Sequence, residues 1–260
     1  MIDYKELRIG EEKINSQGIR MKIIKYNHAE DIDVLFENDD IIKNRTYDNF
    51  TNGRIKSLIY PNIYGVGCIG YGEYVGNINK VMTTEYSSWH GMLRRCYDEK
   101  WRIKQPTYMG CSVDKEWHNF QNFAKWFNEN KWSKDCTCVD KDILNKGNKI
   151  YSSQNCILVD GRLNSLLLTG KAKRTELPIG VWYRKRINKY ESGCSIIDES
   201  GKRFVKYLGY YDTPMEAFNT YKSFKEEYIR QVADEYKLKY PQLPQKLYDA
   251  LYAYEVEITD

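Results

Sequence analysis

The sequence lacks long apolar runs: no stretch of the 260 residues reaches the roughly 18 consecutive apolar residues that a membrane helix needs. Its first residues, MIDYKELRIGEEK, contain no basic segment followed by an apolar one, so we expect no secretory signal. The mean hydropathy is −0.70 and 29% of the residues are charged. These features predict no membrane partner and a cytoplasmic location.

Paired cysteine motifs are also missing. The seven cysteines are an odd number and are scattered, at positions 68, 96, 111, 136, 138, 156 and 194. Structural zinc sites usually use C-x₂₋₄-C pairs, whereas Cys136 and Cys138 form the shorter C-x-C. We therefore expect reduced thiols and no zinc.

The net charge is small, because 40 Lys and Arg face 36 Asp and Glu, a formal +4. The charge is unevenly distributed, however. Residues 1–75 hold 10 basic and 12 acidic side chains, a net of −2, whereas residues 171–206 hold 10 basic and 4 acidic ones, a net of +6. A local basic field on a balanced chain fits a polyanion-binding surface or a solvated charged face.

Three segments with different patterns predict an α+β fold. Residues 1–75 read as a small N-terminal β domain, because Ile32, Val34 and Phe36 alternate with other residues and ENDD marks a turn. No pattern in this domain indicates its role, and contact with a host or phage protein is left open. Glycines crowd its end, which predicts a flexible or tightly turned connector.

The middle segment, residues 76–170, begins with two aromatic helices. Apolar residues recur there at helical spacing: Trp89, Met92, Leu93 and Cys96 after an N-cap at Ser87 or Ser88, then Trp117, Phe120, Ala124 and Phe127. Such stripes favour a hydrophobic core, so His90 and His118 on the same helices are not assigned to chemistry.

The stretch CVDKDILNKGNKIYSSQNCILVDGRLNSLLL, residues 138–168, reads as strand, turn, strand and helix. Asp140 closes the first strand, Asn155 begins the second, and Asn164 lies one turn into the helix. Asp160 is a candidate N-cap. A ββα unit of this kind can hold a hard cation between the strand-end carboxylate and the helix. The alternative is a hairpin and helix that only pack against the aromatic helices.

This stretch resembles the HNH nucleases of phage homing endonucleases, which have an Asp-His pair at the end of strand one and two later asparagines. The resemblance implies that Asp140 and Asn164 would bind Mg²⁺ or Mn²⁺, and that Asn155 would hold the loop. Lys141 stands where the family has its catalytic histidine.

Lys141 leaves two functions open. A lysine has a reference pKa near 10.4, so acting as a general base near neutral pH requires a fall of about three pH units, roughly 4 kcal/mol. A protonated Lys141 can instead clamp a phosphate or stabilise the transition state. The ββα unit is therefore predicted to be either an active nuclease, with Lys141 and Asn155 in catalysis, or a non-catalytic unit that grips the DNA backbone.

Residues 171–260 predict a sheet followed by a helix. GVWYRK, KYESGCSII and KRFVKYLGYYDT read as three strands, and DESGK reads as a hairpin turn. Thr213 and Glu216 form a capping box, and Pro214 suits the first helical position. The side of the helix that should cover the inner face of the sheet carries Phe218, Tyr221, Ile229, Val232 and Tyr236.

Residues 179–236 resemble the plant apetala/ethylene-response DNA-binding domain, which also occurs in phage homing endonucleases, most specifically in YLGYYDTPMEA. The resemblance implies that the outer face of the sheet enters the major groove, where arginines contact guanine edges and lysines contact phosphates. The implied DNA-binding residues are Trp182, Arg184, Arg186, Lys189, Lys202 and Arg203. A basic sheet without a ligand is the alternative.

The two resemblances together predict a sequence-specific duplex-DNA-binding protein of a phage or mobile element, acting in the cytoplasm of a bacterial host. The first hypothesis is a homing-type endonuclease that nicks or cuts DNA with a bound metal ion. The alternative is a catalytically inactive DNA binder that acts as a phage regulator or as a host-defence antagonist.

Overall fold

The computed structural model describes residues 4–167, 177–197 and 202–258. By its internal contacts the chain divides into two compact units, Met1–Lys104 with Val113–Trp126, and Gln105–Ser112 with Phe127–Asp260. Helices and strands are both well represented, so the fold class is α+β, as predicted. The predicted domain boundary near residue 75 stays a prediction, and the one at residue 170 lies outside the described residues.

A four-stranded antiparallel sheet dominates the first unit, with its strands in chain order. The elements of this part are α1 (Tyr4–Arg8), β1 (Glu12–Ile14), β2 (Arg20–His28), β3 (Asp31–Phe36), β4 (Ile41–Arg45) and α2 (Tyr47–Thr51). The predicted alternation in β3 is confirmed, since Ile32, Val34 and Phe36 are all buried. They join Met21 and Ile23 of β2 in one apolar core.

A hairpin and the aromatic helices follow along the chain. Their bounds are β5 (Asn77–Ile78), β6 (Val81–Met82), α3 (Thr84–Tyr97), α4 (Glu99–Lys104), β7 (Ser112–Val113) and α5 (Phe120–Glu129), with 3₁₀ turns at Pro106–Tyr108 and Lys115–His118. The predicted N-cap of α3 is wrong: the cap is Thr83, whose hydroxyl accepts the Tyr86 N–H at 3.4 Å. The helix therefore begins one turn earlier than its apolar stripe indicates.

The predicted aromatic stripes are core residues. Trp89, Trp117 and Phe120 are buried, and the Trp89 indole N–H donates to the Trp117 carbonyl at 2.7 Å. The glycine-rich connector packs closely on α3, because a Cβ at Gly67 would lie 2.5 Å from a methyl carbon of Leu93. Only glycine allows that approach without a shift of the helix side chains.

The second unit contains the ββα stretch and the C-terminal sheet. Its elements are β8 (Cys138–Asp140), β9 (Ile150–Tyr151), β10 (Ile157–Val159), α6 (Gly161–Leu166), β11 (Val181–Arg184), β12 (Lys189–Ile197), β13 (Arg203–Tyr211), α7 (Pro214–Lys239) and α8 (Gln245–Tyr252). β8 and β10 pair antiparallel, with Asp140 opposite Ile157. β11, β12 and β13 form an antiparallel sheet in that order. Within the described ranges, no helix has the length and apolarity needed to cross a lipid bilayer.

Helix α7 starts as predicted, at a capping box between Thr213 and Glu216. Its first half covers the sheet, where Phe218 and Tyr221 pack in one core with residues of β11 and β12. The prediction that Tyr236, in the last half of the helix, also covers the sheet is wrong, because Tyr236 contacts the ββα part of the unit instead. The Tyr236 ring lies 6.2 Å from that of Trp132, and its hydroxyl donates to the Asp160 carboxylate at 2.6 Å.

Candidate functional site

Asp140 ends β8, as predicted, and its carboxylate organises the chain that follows. Its Oδ1 accepts the backbone N–H of Asp142 at 2.7 Å and that of Ile143 at 2.8 Å. Within the described parts of the chain, no hydrogen bond reaches its Oδ2. Burial raises the pKa of this carboxyl group above its usual range, and the two N–H donors only partly oppose that effect. One oxygen therefore holds the turn, while the other can bind a ligand.

Lys141 is buried, with 6% of its surface exposed. Its ammonium donates to the Asp142 carboxylate at 2.6 Å and to the Asn148 carbonyl at 2.7 Å. Both contacts lie within the connection between β8 and β10, so Lys141 fastens this connection to the end of the strand. Acting on a phosphate would require the ammonium to leave these two acceptors and become exposed.

Asn155 and Asn164 lie where the sequence places them, before β10 and inside α6. α6 contacts β8, and its N-cap is Asp160, whose carboxylate accepts the Leu163 N–H at 2.8 Å. In the part of the chain that the structure describes, neither asparagine side chain makes a hydrogen bond. Asn164 is thus a neutral oxygen donor on the helix beside the strand that ends in Asp140.

The amide that bridges the hairpin connection is that of Asn148. Its side-chain nitrogen donates to the carbonyls of Lys141 at 3.0 Å and Ile150 at 2.8 Å, and its oxygen accepts the Ile150 N–H at 3.1 Å. The role predicted for Asn155 stays a prediction. The Gly-Asn pair at the turn was the available signal, because Asn side chains commonly bond to nearby backbone in turns.

The donor set fits one hard cation better than a thiolate-bound metal. Mg²⁺ is usually held by one or two carboxylates with waters and phosphate oxygens, and Asp140 with Asn164 supplies one carboxylate and one amide. Among the described residues, no three His, Cys, Asp or Glu side chains form a ligand group.

The C-terminal sheet has one face that α7 partly covers and one face that stays exposed. Val181 and Cys194 point into the core with α7. Since cross-strand partners in an antiparallel sheet share a face, the register assigns the other side. This side, called the outer face here, consists of Trp182, Arg184, Lys189, Glu191, Gly193, Ser195, Ile197, Arg203, Val205, Tyr207 and Tyr210.

The outer face brings together four of the six residues predicted to bind DNA: Trp182, Arg184, Lys189 and Arg203. Trp182 is 42% exposed, and the three cations are also accessible. Arg186 lies exposed in the turn between β11 and β12, and Lys202 lies exposed just before β13. The face on which the DNA prediction depends is therefore open to a ligand.

Two of the predicted cations already have acidic partners. Arg184 donates to both oxygens of Glu191, from Nε at 2.6 Å and from Nη2 at 2.7 Å. This pairing lowers the pKa of the Glu191 carboxyl group. Lys189 donates to Asp212 at 2.7 Å. The pairs hold both cations in place and also weaken the positive field of the face.

Sequence reasoning missed the aromatic part of the outer face. Tyr207 and Tyr210 of β13 are 54% and 47% exposed, and their rings lie 5.2 Å apart. The alternation of β13 could have revealed them, but the register shift opposite Ser192 and Gly193 changes which residues share a face. Lys206 of β13 pairs with Cys194 and so lies on the other face of the sheet, over the Phe224 ring of α7 at 4.8 Å.

The chain matches no known family model, no curated protein and no solved structure. The resemblances to HNH nucleases and to the apetala-type domain therefore stay predictions. The functional assignment depends on the geometry of the ββα unit and of the outer face.

Proposed function

We propose that this protein binds duplex DNA through the outer face of its C-terminal sheet. The observation that supports this most is the contrast between the two faces: α7 packs on one and buries Val181 and Cys194 there, while arginine, lysine and aromatic side chains remain exposed on the other. A sheet presented in this way can enter the major groove. Arg184 and Arg186 are the candidates for guanine edges, and Lys189 is the candidate for phosphate.

Glu191 gives the first test of this proposal. Glu191→Gln removes the acidic partner of Arg184 and adds one net positive charge to the outer face. We expect duplex binding to tighten several-fold, and the slope of log affinity against log salt to steepen by about one unit, because one more phosphate is neutralised. Fluorescence anisotropy with a labelled duplex at several salt concentrations measures both quantities.

The matched control is Glu227→Gln on α7. Glu227 pairs with Arg230 at 3.4 Å, is exposed, and gives the same charge change outside the outer face. Its duplex affinity should stay close to that of the unmodified protein. Equal tightening by both variants would mean that only net charge matters, and no duplex binding by any of the proteins would refute the proposal.

Endonuclease activity is the second candidate function, favoured by the position of Asp140 and Asn164 on two elements in contact, β8 and α6. With Mg²⁺ or Mn²⁺ bound, these two residues would hold the ion, which neutralises charge that develops on a phosphate. A general base is harder to assign. Lys141 is committed to Asp142 and to Asn148, and Phe127–Asp260 contains no histidine. We therefore favour DNA binding without cleavage, as expected of a regulator or host-defence antagonist.

Asp140→Asn tests cleavage without disturbing the turn, because the amide oxygen can still accept the two N–H groups. Loss of metal-dependent plasmid nicking in this variant would establish cleavage by this site, whereas no nicking by the unmodified protein in Mg²⁺ or Mn²⁺ would support the binding function. Asp140→Ala is a poorer control. It leaves the N–H groups of Asp142 and Ile143 without their acceptor, at a cost of about 1–3 kcal/mol each if they stay buried.

The effect of Asp140→Asn on stability should depend on pH. The folded-state pKa of Asp140 is raised by burial, so ionisation destabilises the fold as pH rises above the unfolded-state pKa, near 3.9. The stability of Asp140→Asn relative to the unmodified protein should therefore be greater at pH 7 than at about pH 4. Urea denaturation at the two pH values measures this difference, and an opposite trend would contradict the assigned environment.

A further inference from the structure

A cavity of about 370 Å³ lies along the edge of β12 in the second unit. This volume falls within the roughly 300–1,000 Å³ of small-molecule sites. The cavity forms because β11 pairs only with the first half of β12, from Lys189 to Ser192. The second half of β12 borders the cavity on that side. Its walls include Trp182, Ser195, Arg203, Tyr221, Lys225 and Tyr228.

The strand edge presents an open pair of backbone groups at Ser195. Gly193 N–H donates to the Gly180 carbonyl at 3.0 Å, and Ile197 exchanges hydrogen bonds with the Tyr228 hydroxyl at 3.0 and 3.1 Å. Because alternate residues of a strand direct their backbone groups to the same side, Ser195 directs its N–H and carbonyl to this edge too. Within the described residues, only the weak Cys194 thiol donor contacts that carbonyl, at 3.7 Å.

The charged side chains of the cavity are both cations. Lys225 donates to the Leu166 carbonyl at 2.7 Å, and Arg203 is close enough to act on Lys225 electrostatically. Burial lowers the pKa of Lys225, and the nearby Arg203 lowers it further. The described lining contains no carboxylate. Among the described lining residues, a bound anion would therefore meet two cations and no carboxylate.

Aromatic rings supply the remaining surface. Trp182 lies beside the strand at the cavity, since a Cβ at Gly193 would be 3.1 Å from its ring carbon Cζ3. Tyr221 and Tyr228 enter from α7. Flat aromatic surfaces, a backbone donor–acceptor pair and two cations together match a planar heterocycle that carries a phosphate. An inorganic anion would leave the rings and the Ser195 backbone unused.

We propose that this cavity binds a single nucleotide. The base stacks on Trp182 with its polar edge at the Ser195 backbone, and the phosphate faces Arg203 and Lys225. The nucleotide is either a free deoxynucleoside monophosphate or a nucleotide turned out of DNA held on the outer face, which shares Trp182 and Arg203 with the cavity. The second source rests on the proposed DNA-binding function.

Free nucleotides give the first arm of the test. Calorimetric titration with dAMP, dCMP, dGMP and dTMP, and with inorganic phosphate as the partial ligand, should show at least one nucleotide binding more tightly than phosphate. Lys225→Met should weaken that binding about tenfold, because a charged donor is lost. Lys222→Met is the matched control, since Lys222 lies one turn earlier on α7 and donates to the Val256 carbonyl at 2.8 Å. Its binding should not change.

A duplex with one 2-aminopurine gives the second arm, because the fluorescence of this base rises when it leaves the stack. The expected result is a rise on protein addition that Lys225→Met abolishes and Lys222→Met retains. A Lys225-dependent signal in either arm supports the proposal and identifies the source. No such signal in both arms overturns it. Should Lys225→Met not fold, Arg203→Gln at an exposed position gives the same readout for free nucleotides.

Gel shifts on the same samples keep the two proposals separate. Duplex binding without a nucleotide signal would remove the cavity assignment and leave the outer face as the DNA interface. Free nucleotide binding without duplex binding would support the cavity assignment and remove the outer face as the DNA interface.

Discussion

The double variant Arg184→Ala, Arg186→Ala should lose about thirtyfold or more in duplex affinity, because each arginine contact with DNA is worth roughly 1–3 kcal/mol. The loss has a second cause at Arg184. Its removal leaves the Glu191 carboxylate on the outer face without the partner that now binds both of its oxygens. That uncompensated charge would repel the DNA backbone. The salt slope should also become shallower by about two units. Fluorescence anisotropy across a salt series measures both changes.

A charge-matched control makes this result specific to the outer face. Arg54→Ala with Arg230→Ala removes the same net charge from an exposed and a half-buried arginine that also have acidic partners, Asp48 and Glu227. This control should change duplex affinity less than about threefold. Equal losses in the two double variants would show that binding follows total charge, and the outer face would lose its special role.

Trp132→Ala should lower the free energy of unfolding of the second unit by about 3–5 kcal/mol, the usual cost of removing a buried tryptophan. Trp132 is 6% exposed, and its indole N–H donates to the Leu158 carbonyl of β10 at 2.7 Å. Its ring lies 6.2 Å from Tyr236 and 5.3 Å from Tyr240. The substitution therefore leaves a cavity and a buried carbonyl without its donor. Urea denaturation gives the change directly.

Trp182→Ala is the matched control for stability, since it removes the same side chain from an exposed position of the same unit. We expect a loss below about 1 kcal/mol there. Hydrogen exchange adds a second readout. Trp132 contacts the last half of α7, and the first half of α7 covers the sheet that contains β12. Loss of Trp132 should therefore also speed amide exchange in β12. A stability change below about 1 kcal/mol for Trp132→Ala, or β12 exchange unaffected by it, would contradict the packing described for this unit.

The sequence predicted the local elements well, because their signals are local. The capping box at Thr213 and the alternation of Ile32, Val34 and Phe36 depend on residues a few positions apart. Side-chain hydrogen bonds across longer distances were not predictable. The Tyr236 hydroxyl donates a hydrogen bond to Asp160, 76 positions earlier in the chain, and no periodicity within α7 indicates that partner. Helix α7 thus packs against both the C-terminal sheet and the ββα part of the unit, although its apolar stripe looks uniform.

For the candidate site, the placement of residues on strands and helices was easier to predict from the sequence than their contacts. Asp140 and Asn164 lie on adjoining elements, as the HNH-type spacing implies, but no pattern in the sequence indicates that Lys141 is buried against Asp142 and Asn148. The basic residues of the outer face could be read from composition. Their pairing with Glu191 depends on the strand register. The exposure of Tyr207 depends on a register shift, which single-sequence patterns do not encode.

Site-specific photocrosslinking tests most directly whether the outer face meets DNA. A photoreactive phenylalanine analogue at Tyr207, on the outer face and 54% exposed, should crosslink to bound duplex under ultraviolet light. The same analogue at Tyr252 of α8, which is 44% exposed, should not. Crosslinks from position 252 with none from position 207, while duplex binding is intact, would contradict the assignment of the outer face as the DNA interface.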